Sequence, residues 1–349
     1  MEYIKPAKLN AGDTVAILSP SWGGPSRFPV IYEQGLDVLR SVFGLRTKEY
    51  PTARADAGDL YTHPQVRAAD INAAFADPEV RAIIPSIGGD DSVRILPFLD
   101  PVTIIANPKI LLGFSDTTTL LAYCNQLGLV TFQGPSIMAG FAQAHALPPA
   151  FIEHVRAILF DAPQTYQYHP YTSWSEGYPD WGASEHIGQT NPQQANSEGW
   201  RWLQGSGRAR GRLFGGNIEV LEFLKGTRYW PAPEFWHGKL LFFETSEEEP
   251  TPSQVKYMLR NYGMQGIYEQ IAGILFGRAR GYSLSHKRLL EEIIVTVVAQ
   301  EFGRPDLPLV ANLDFGHTDP QWIMPLGVEA EVDCTQQSFR LLEPACGAL

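Results

Sequence analysis

The stretch Lys109-Ile110-Leu111-Leu112-Gly113-Phe114-Ser115-Asp116-Thr117 decides how this chain is read. The apolar run Lys109 to Phe114 reads as a buried strand, and Thr117 to Leu127 reads as a helix. Between them, Gly113 lets a tight turn form without a side chain in the way. A serine on a tight strand-to-helix turn stands its hydroxyl at the top of the sheet, and the first N–H groups of the helix face the same space. That is the geometry of a nucleophile elbow. Thr117 stands where the esterase pattern G-x-S-x-G has glycine. The competing reading makes Ser115 a helix N-cap and Asp116 a first-turn residue favoured by the helix dipole.

Working outward, the same alternation repeats. Thr14 to Leu18, Arg81 to Ser86 and Leu129 to Phe132 read as strands, and Val30 to Phe43, Pro64 to Phe75 and Pro149 to Leu159 as helices. Strands that alternate with helices predict βαβ units and a parallel sheet covered on both faces, with ligands beyond the carboxyl ends of the strands. The second half returns to mixed α/β. Lys239 to Phe243, Ile271 to Phe276, Leu307 to Asn312 and Val328 to Val332 read as strands, and Ser253 to Tyr262 and Leu289 to Gln300 as helices. Between the halves, Tyr166 to Gly205 is poor in aliphatic residues and holds Trp174, Trp181, Trp200 and Trp202. It reads as an interdomain connection or as a loop lying over a site.

A chain of 349 residues suggests two domains, and 44% hydrophobic residues exclude a disordered one. No apolar run is long enough for a transmembrane helix, and the N-terminal stretch has no apolar signal region. Three scattered cysteines match no zinc spacing, and with the missing signal they lead us to expect a cytoplasmic protein. A net charge of −11 without Lys/Arg clusters argues against a nucleic-acid polymer as partner.

Further residues with chemical potential sit at strand ends. Ile87-Gly88-Gly89-Asp90-Asp91 follows a strand. Its double glycine fits a plain turn, an oxyanion hole or a phosphate loop. The last use resembles the GGDGS/T run of phosphofructokinase-like enzymes but departs at Asp91, and no P-loop is present. A serine nucleophile needs a base, and the base an orienting acid. Of eight histidines, His317 follows a buried strand in Asn312-Leu313-Asp314-Phe315-Gly316-His317. A purely structural role for it stays open. Glu244 ends the strand Lys239 to Phe243, whereas Glu247, Glu248 and Glu249 read as a solvated charge run. Glu219 is a further acid candidate, although Leu213-Phe214-Gly215-Gly216-Asn217 before it reads as a turn into an exposed helix.

With Leu9-Asn10-Ala11-Gly12-Asp13, Ser19-Pro20-Ser21, Gly215-Gly216-Asn217 and Glu244-Thr245-Ser246-Glu247-Glu248, these blocks resemble, in order and spacing, the LD-carboxypeptidase family of serine peptidases. The long Trp-rich segment and the Glu244-Thr245 run resemble its microcin C self-immunity branch. The resemblance implies a Ser-Glu-His triad of Ser115, Glu244 and His317. It implies an oxyanion hole from Gly88, Gly89 and the Asp116 N–H, with Trp181 stacking on a base and Asn217 binding substrate. It implies a flavodoxin-like N-terminal domain (1–165) with a parallel sheet. A Trp-rich loop (166–205) and a smaller mixed α/β domain (206–349) would follow, with the active site between the domains. A homodimer without metal or cofactor and without a membrane partner is also implied. The expected activity is cleavage of aminoacyl-nucleotide amides. The alternatives are removal of D-Ala from L,D-tetrapeptides of peptidoglycan, or a non-catalytic nucleotide- or peptide-binding protein.

Overall fold

The computed structural model describes residues 2–347. The N-terminal part supplies β1 (Thr14–Leu18), β2 (Arg46–Glu49), β3 (Val80–Pro85), β4 (Ile110–Gly113) and β5 (Thr131–Gln133). They form a parallel sheet in the order β5-β4-β3-β1-β2, the doubly wound flavodoxin-like arrangement. β1 and β4 are wholly buried, which is why their sequences are unbroken apolar runs. The helices Pro29–Ser41 and Pro64–Ala76 each begin with proline, whose missing N–H is one the helix start leaves unpaired anyway.

The rest of the chain supplies β6 (Tyr166–Gln167), β7 (Ser173–Glu176), β8 (Gln194–Ala195), β9 (Arg201–Gln204), β10 (Arg208–Asn217), β11 (Lys239–Glu244), β12 (Gly273–Gly277), β13 (Leu309–Leu313), β14 (Thr318–Asp319), β15 (Met324–Leu326), β16 (Glu329–Asp333) and β17 (Ser338–Leu341). Eight of these form one mixed sheet in the order β6-β17-β16-β10-β11-β12-β13-β9. Its middle, β10 to β13, is parallel. The eight strands of this sheet include β6 and β9 from the segment 166–205.

Two expectations change here, and one pairing is added to them. The segment 166–205 is not a bare connection: β6 and β9 close the two edges of the eight-stranded sheet. The run Leu213 to Asn217 is not a turn but the end of the ten-residue strand β10. β15, far along the chain, returns to pair antiparallel with β5 in the first sheet. The helices Pro149–Leu159 and Leu289–Gln300 are also differently bounded: α-helix covers Ala150–Arg156 and Leu284–Val295, and each relaxes into a wider π turn.

The carboxyl ends of the two sheets face each other. The Asn217 N–H at the end of β10 donates to Thr118 Oγ1 (3.2 Å), which opens the helix Thr118–Gln126 after Ser115. Gly216 lies so close to Thr118 that a Cβ there would collide with its side chain. Apolar side chains of both sheets run into one continuous core.

Candidate active site

Every residue singled out in the turns lies beyond the carboxyl end of a parallel strand. Ser115 follows β4 and adopts φ 58°, the left-handed region that a non-glycine residue enters only at a cost of about 1–3 kcal/mol. The strain is the signature of an elbow that pushes a side chain forward, and no side-chain capping bond marks Ser115 as an N-cap. Gly88 backs directly onto it. A Cβ on Gly88 would stand 2.9 Å from Ser115 Cβ, 3.1 Å from Oγ and 3.4 Å from the Asp116 N. The Gly88 turn and the first amide of the elbow thus flank the hydroxyl.

Asp116 ties these two turns together. It is wholly buried, and its Oδ2 accepts from Ser21 Oγ (2.5 Å), Ser92 N (2.8 Å) and Asp91 N (3.1 Å). Burial pushes its carboxyl above the usual range, against the pull of these donors. The buried guanidinium of Arg67 holds the Asp91 carboxylate in a two-bond pair at 2.7 and 2.9 Å. The departure of Asp91 from the phosphate-loop pattern therefore serves the loop's shape.

Across the interface, β11 delivers Glu244, and the turn after β13 delivers His317. The Glu244 carboxylate meets His317 Nδ1 at 2.6 Å, with both side chains almost fully out of water. Gly316 makes this approach possible, since a Cβ there would stand 2.6 Å from that of Glu244. Phe114, the neighbour of Ser115, packs edge-on against the His317 ring with centroids 4.9 Å apart. His317 makes no hydrogen bond to Ser115. Its Nε2 is instead 3.0 Å from Glu247 Oε2, whose side chain is 51% exposed. Burial alone would lower the imidazole pKa, but the two carboxylates outweigh it and push it up to about 10. The same contact holds Glu247 down at about 2. Glu247 is exposed, as a solvated run would have it, but it also reaches His317.

The remaining candidates have mixed fates. Asn217 caps the helix Ile218–Glu222, its Oδ1 accepting from the Glu219 and Val220 amides at 2.9 and 3.0 Å. Its Nδ2 is buried and unpartnered among the described residues. Glu219 is not an exposed helical residue. Its carboxylate accepts from Ser246 N (2.9 Å) and Oγ (2.5 Å) and anchors the turn that carries Glu247. Trp181 sits edge-on to Phe28 (5.8 Å), which is edge-on to Trp22 (6.2 Å) beside the Gly89 turn. Its indole N–H is buried without a partner among the described residues. Trp174 takes other work, with the Arg278 guanidinium and the Lys287 ammonium over its ring. Trp200 donates to Asp314 Oδ2 at 3.0 Å.

A cavity of about 810 Å³ opens at the amino ends of β10 and β11, away from Ser115, and is lined by Tyr3, Arg212 and Lys239 among others. Among the described residues no group of three or more His, Cys, Asp or Glu is placed to hold a metal ion, and no helix is long and apolar enough to cross a membrane.

The sequence profile of the LD-carboxypeptidase N-terminal domain matches residues 15–134, and that of the C-terminal domain matches residues 210–332. The microcin C7 self-immunity protein MccF of Escherichia coli is 29% identical over 97% of this chain and 95% of its own length. The probable murein peptide carboxypeptidase of Bacillus subtilis is 30% identical over 96% of this chain and 93% of its own. An MccF-like protein from Streptococcus pneumoniae, solved in complex with AMP, superposes with a TM-score of 0.84 at 28% identity, covering 95% of this chain and 98% of that one. MccF in complex with aspartyl sulfamoyl adenosine superposes with a TM-score of 0.85 at 26% identity, covering 99% and 100%.

Proposed function

The chain belongs to the LD-carboxypeptidase family of serine peptidases, and on that premise we propose that it cleaves an amide bond through an acyl-Ser115 intermediate, with His317 as base and Glu244 as its orienting acid. The observation that carries this reading is the pairing of a left-handed Ser115 with a buried Glu244–His317 contact on the facing sheet. His317 Nε2 takes the serine proton as Oγ attacks the carbonyl, while Glu244 keeps Nδ1–H in place and stabilises the imidazolium. The developing oxyanion falls between the Gly88–Gly89 turn and the Asp116 N–H, donors that need no reorganisation when charge appears. His317 then returns the proton to the leaving amine, and water reverses the cycle.

The substrate that fits best is an aminoacyl-nucleotide amide. Two structures of MccF hold aminoacyl sulfamoyl nucleosides, one aspartyl and one glutamyl. In this chain Trp181 lies with Phe28 and Trp22 beside the Gly89 turn, where a base can stack. The free Nδ2 of Asn217 offers a donor on the other side. We further propose a homodimer, on the family resemblance alone. The test is product analysis on aspartyl sulfamoyl adenosine beside an L,D-tetrapeptide. Preferential release of aspartate supports the reading, and release of D-Ala with the nucleotide conjugate untouched replaces it with the murein one.

A further inference from the structure

His317 has a carboxylate on each ring nitrogen. Glu244 holds Nδ1 and Glu247 holds Nε2, the nitrogen that must receive the Ser115 proton. A ring that donates its Nε2–H to a carboxylate has no lone pair there for a hydroxyl. The site in this form is blocked at its base.

The two carboxylates are built differently. Glu244 is wholly buried at the end of β11, in register with Asn217 and backed by Gly316. Glu247 belongs to the turn after that strand and is half exposed. The backbone of its turn is fixed by Glu219 through Ser246, and by the Glu248 N–H donating to Ser246 Oγ at 3.1 Å. The anchor is rigid, and the side chain beyond it borders water. Glu247 can therefore turn away without moving the loop.

The surroundings say what would draw it off. The charged groups acting on His317 are Glu244 and Glu247, with Asp319 from β14 and Glu219 from the helix Ile218–Glu222, while Arg280 from the loop after β12 acts on Glu247 and Asp319. Four acids stand against one guanidinium. An anionic substrate group would be repelled from this wall, whereas a cation would compete with the imidazolium for Glu247.

We propose that Glu247 is a specificity-determining residue: it holds His317 Nε2 while the site is empty and transfers to an ammonium next to the scissile amide when substrate enters. The inference rests on the nucleophile and base assigned above. Losing its second carboxylate, the imidazolium releases the Nε2 proton to solvent, and the neutral ring then accepts the proton of Ser115. The substrate class is thereby narrowed to amides whose acyl part carries a free amino group, and a blocked amine leaves the latch closed.

Two measurements test this on the full chain. The first compares kcat/KM for aspartyl sulfamoyl adenosine and its N-acetyl form in wild type and in Glu247→Ala. Wild type should favour the free amine by about tenfold or more, and the variant by less than about twofold. The second follows covalent labelling of Ser115 by a fluorophosphonate across pH, which needs no substrate. Removing one carboxylate from the ring should move the acid limb of labelling down by about one pH unit or more in Glu247→Ala. Superimposable labelling profiles, or an unchanged preference for the free amine, overturn the role of Glu247. Labelling of a Ser115→Ala variant at the same rate overturns instead the assignment of the nucleophile.

Discussion

Asp116→Asn is the substitution that asks most of the site's construction. Three donors converge on Asp116 Oδ2, and Oδ1 is buried without a partner among the described residues. Asparagine has the same shape. Its oxygen can take the three-donor position, but its NH₂ then falls where no acceptor waits. Charge-assisted bonds become neutral ones of roughly half the strength, and an unsatisfied buried donor costs about 1–3 kcal/mol. Together these give a destabilisation of about 2–4 kcal/mol, measurable by chemical denaturation. Activity should suffer as well, because Asp116 holds the Asp91–Ser92 loop, and through it the Gly88 turn, against the elbow. A displacement of that turn by about 1 Å is enough to cost on the order of 100-fold in rate. The expected variant is therefore folded, less stable, and slower in kcat by at least tenfold, with KM nearly unchanged. Wild-type stability together with wild-type kcat would refute the view that this carboxylate positions the oxyanion turn.

Two other outcomes follow from the geometry. Gly88→Ala places a Cβ 2.9 Å from that of Ser115 and should lower kcat by about 100-fold or more, with a loss of stability of about 1–3 kcal/mol from the overpacked turn; denaturation and turnover on the same preparation check both. The pKa of His317 is raised from 6.5 to about 10 in the folded chain, so the stability this contributes is full below pH 6.5 and is lost as pH rises through about 10. Across that window stability should fall by up to about 1.4 kcal/mol per pH unit. In Glu244→Gln the slope should be shallower, and denaturation at several pH values reads the difference.

The elements that could be read from sequence are those whose burial leaves an unbroken apolar run. β1, β4 and β11 are of this kind, and the strand-end positions of Ser115 and Glu244 follow from them. β2 could not be read, because Arg-Thr-Lys-Glu is a polar edge strand held by its neighbour's backbone. β10 begins with Arg208, Ala209 and Arg210, which looks like a loop until β16 is placed beside it. Arg208 then meets Asp333 at 2.7 Å, and Arg210 meets Glu331 at 2.7 Å. Such cross-strand charge pairs exist only once the two strands have met. The return of β15 to the first sheet is equally non-local. Glu247 was hidden for another reason: among three consecutive glutamates, nothing in the local pattern marks which one turns back onto His317.

Turnover of aspartyl sulfamoyl adenosine by wild type and by Ser115→Ala, read as released aspartate, tests whether Ser115 attacks the amide carbon. Wild type should release aspartate through an acyl-enzyme trapped on Ser115, and the variant should fall by roughly 10⁴-fold or more while remaining folded. A folded Ser115→Ala protein that releases aspartate at the wild-type rate would rule out Ser115 as the nucleophile.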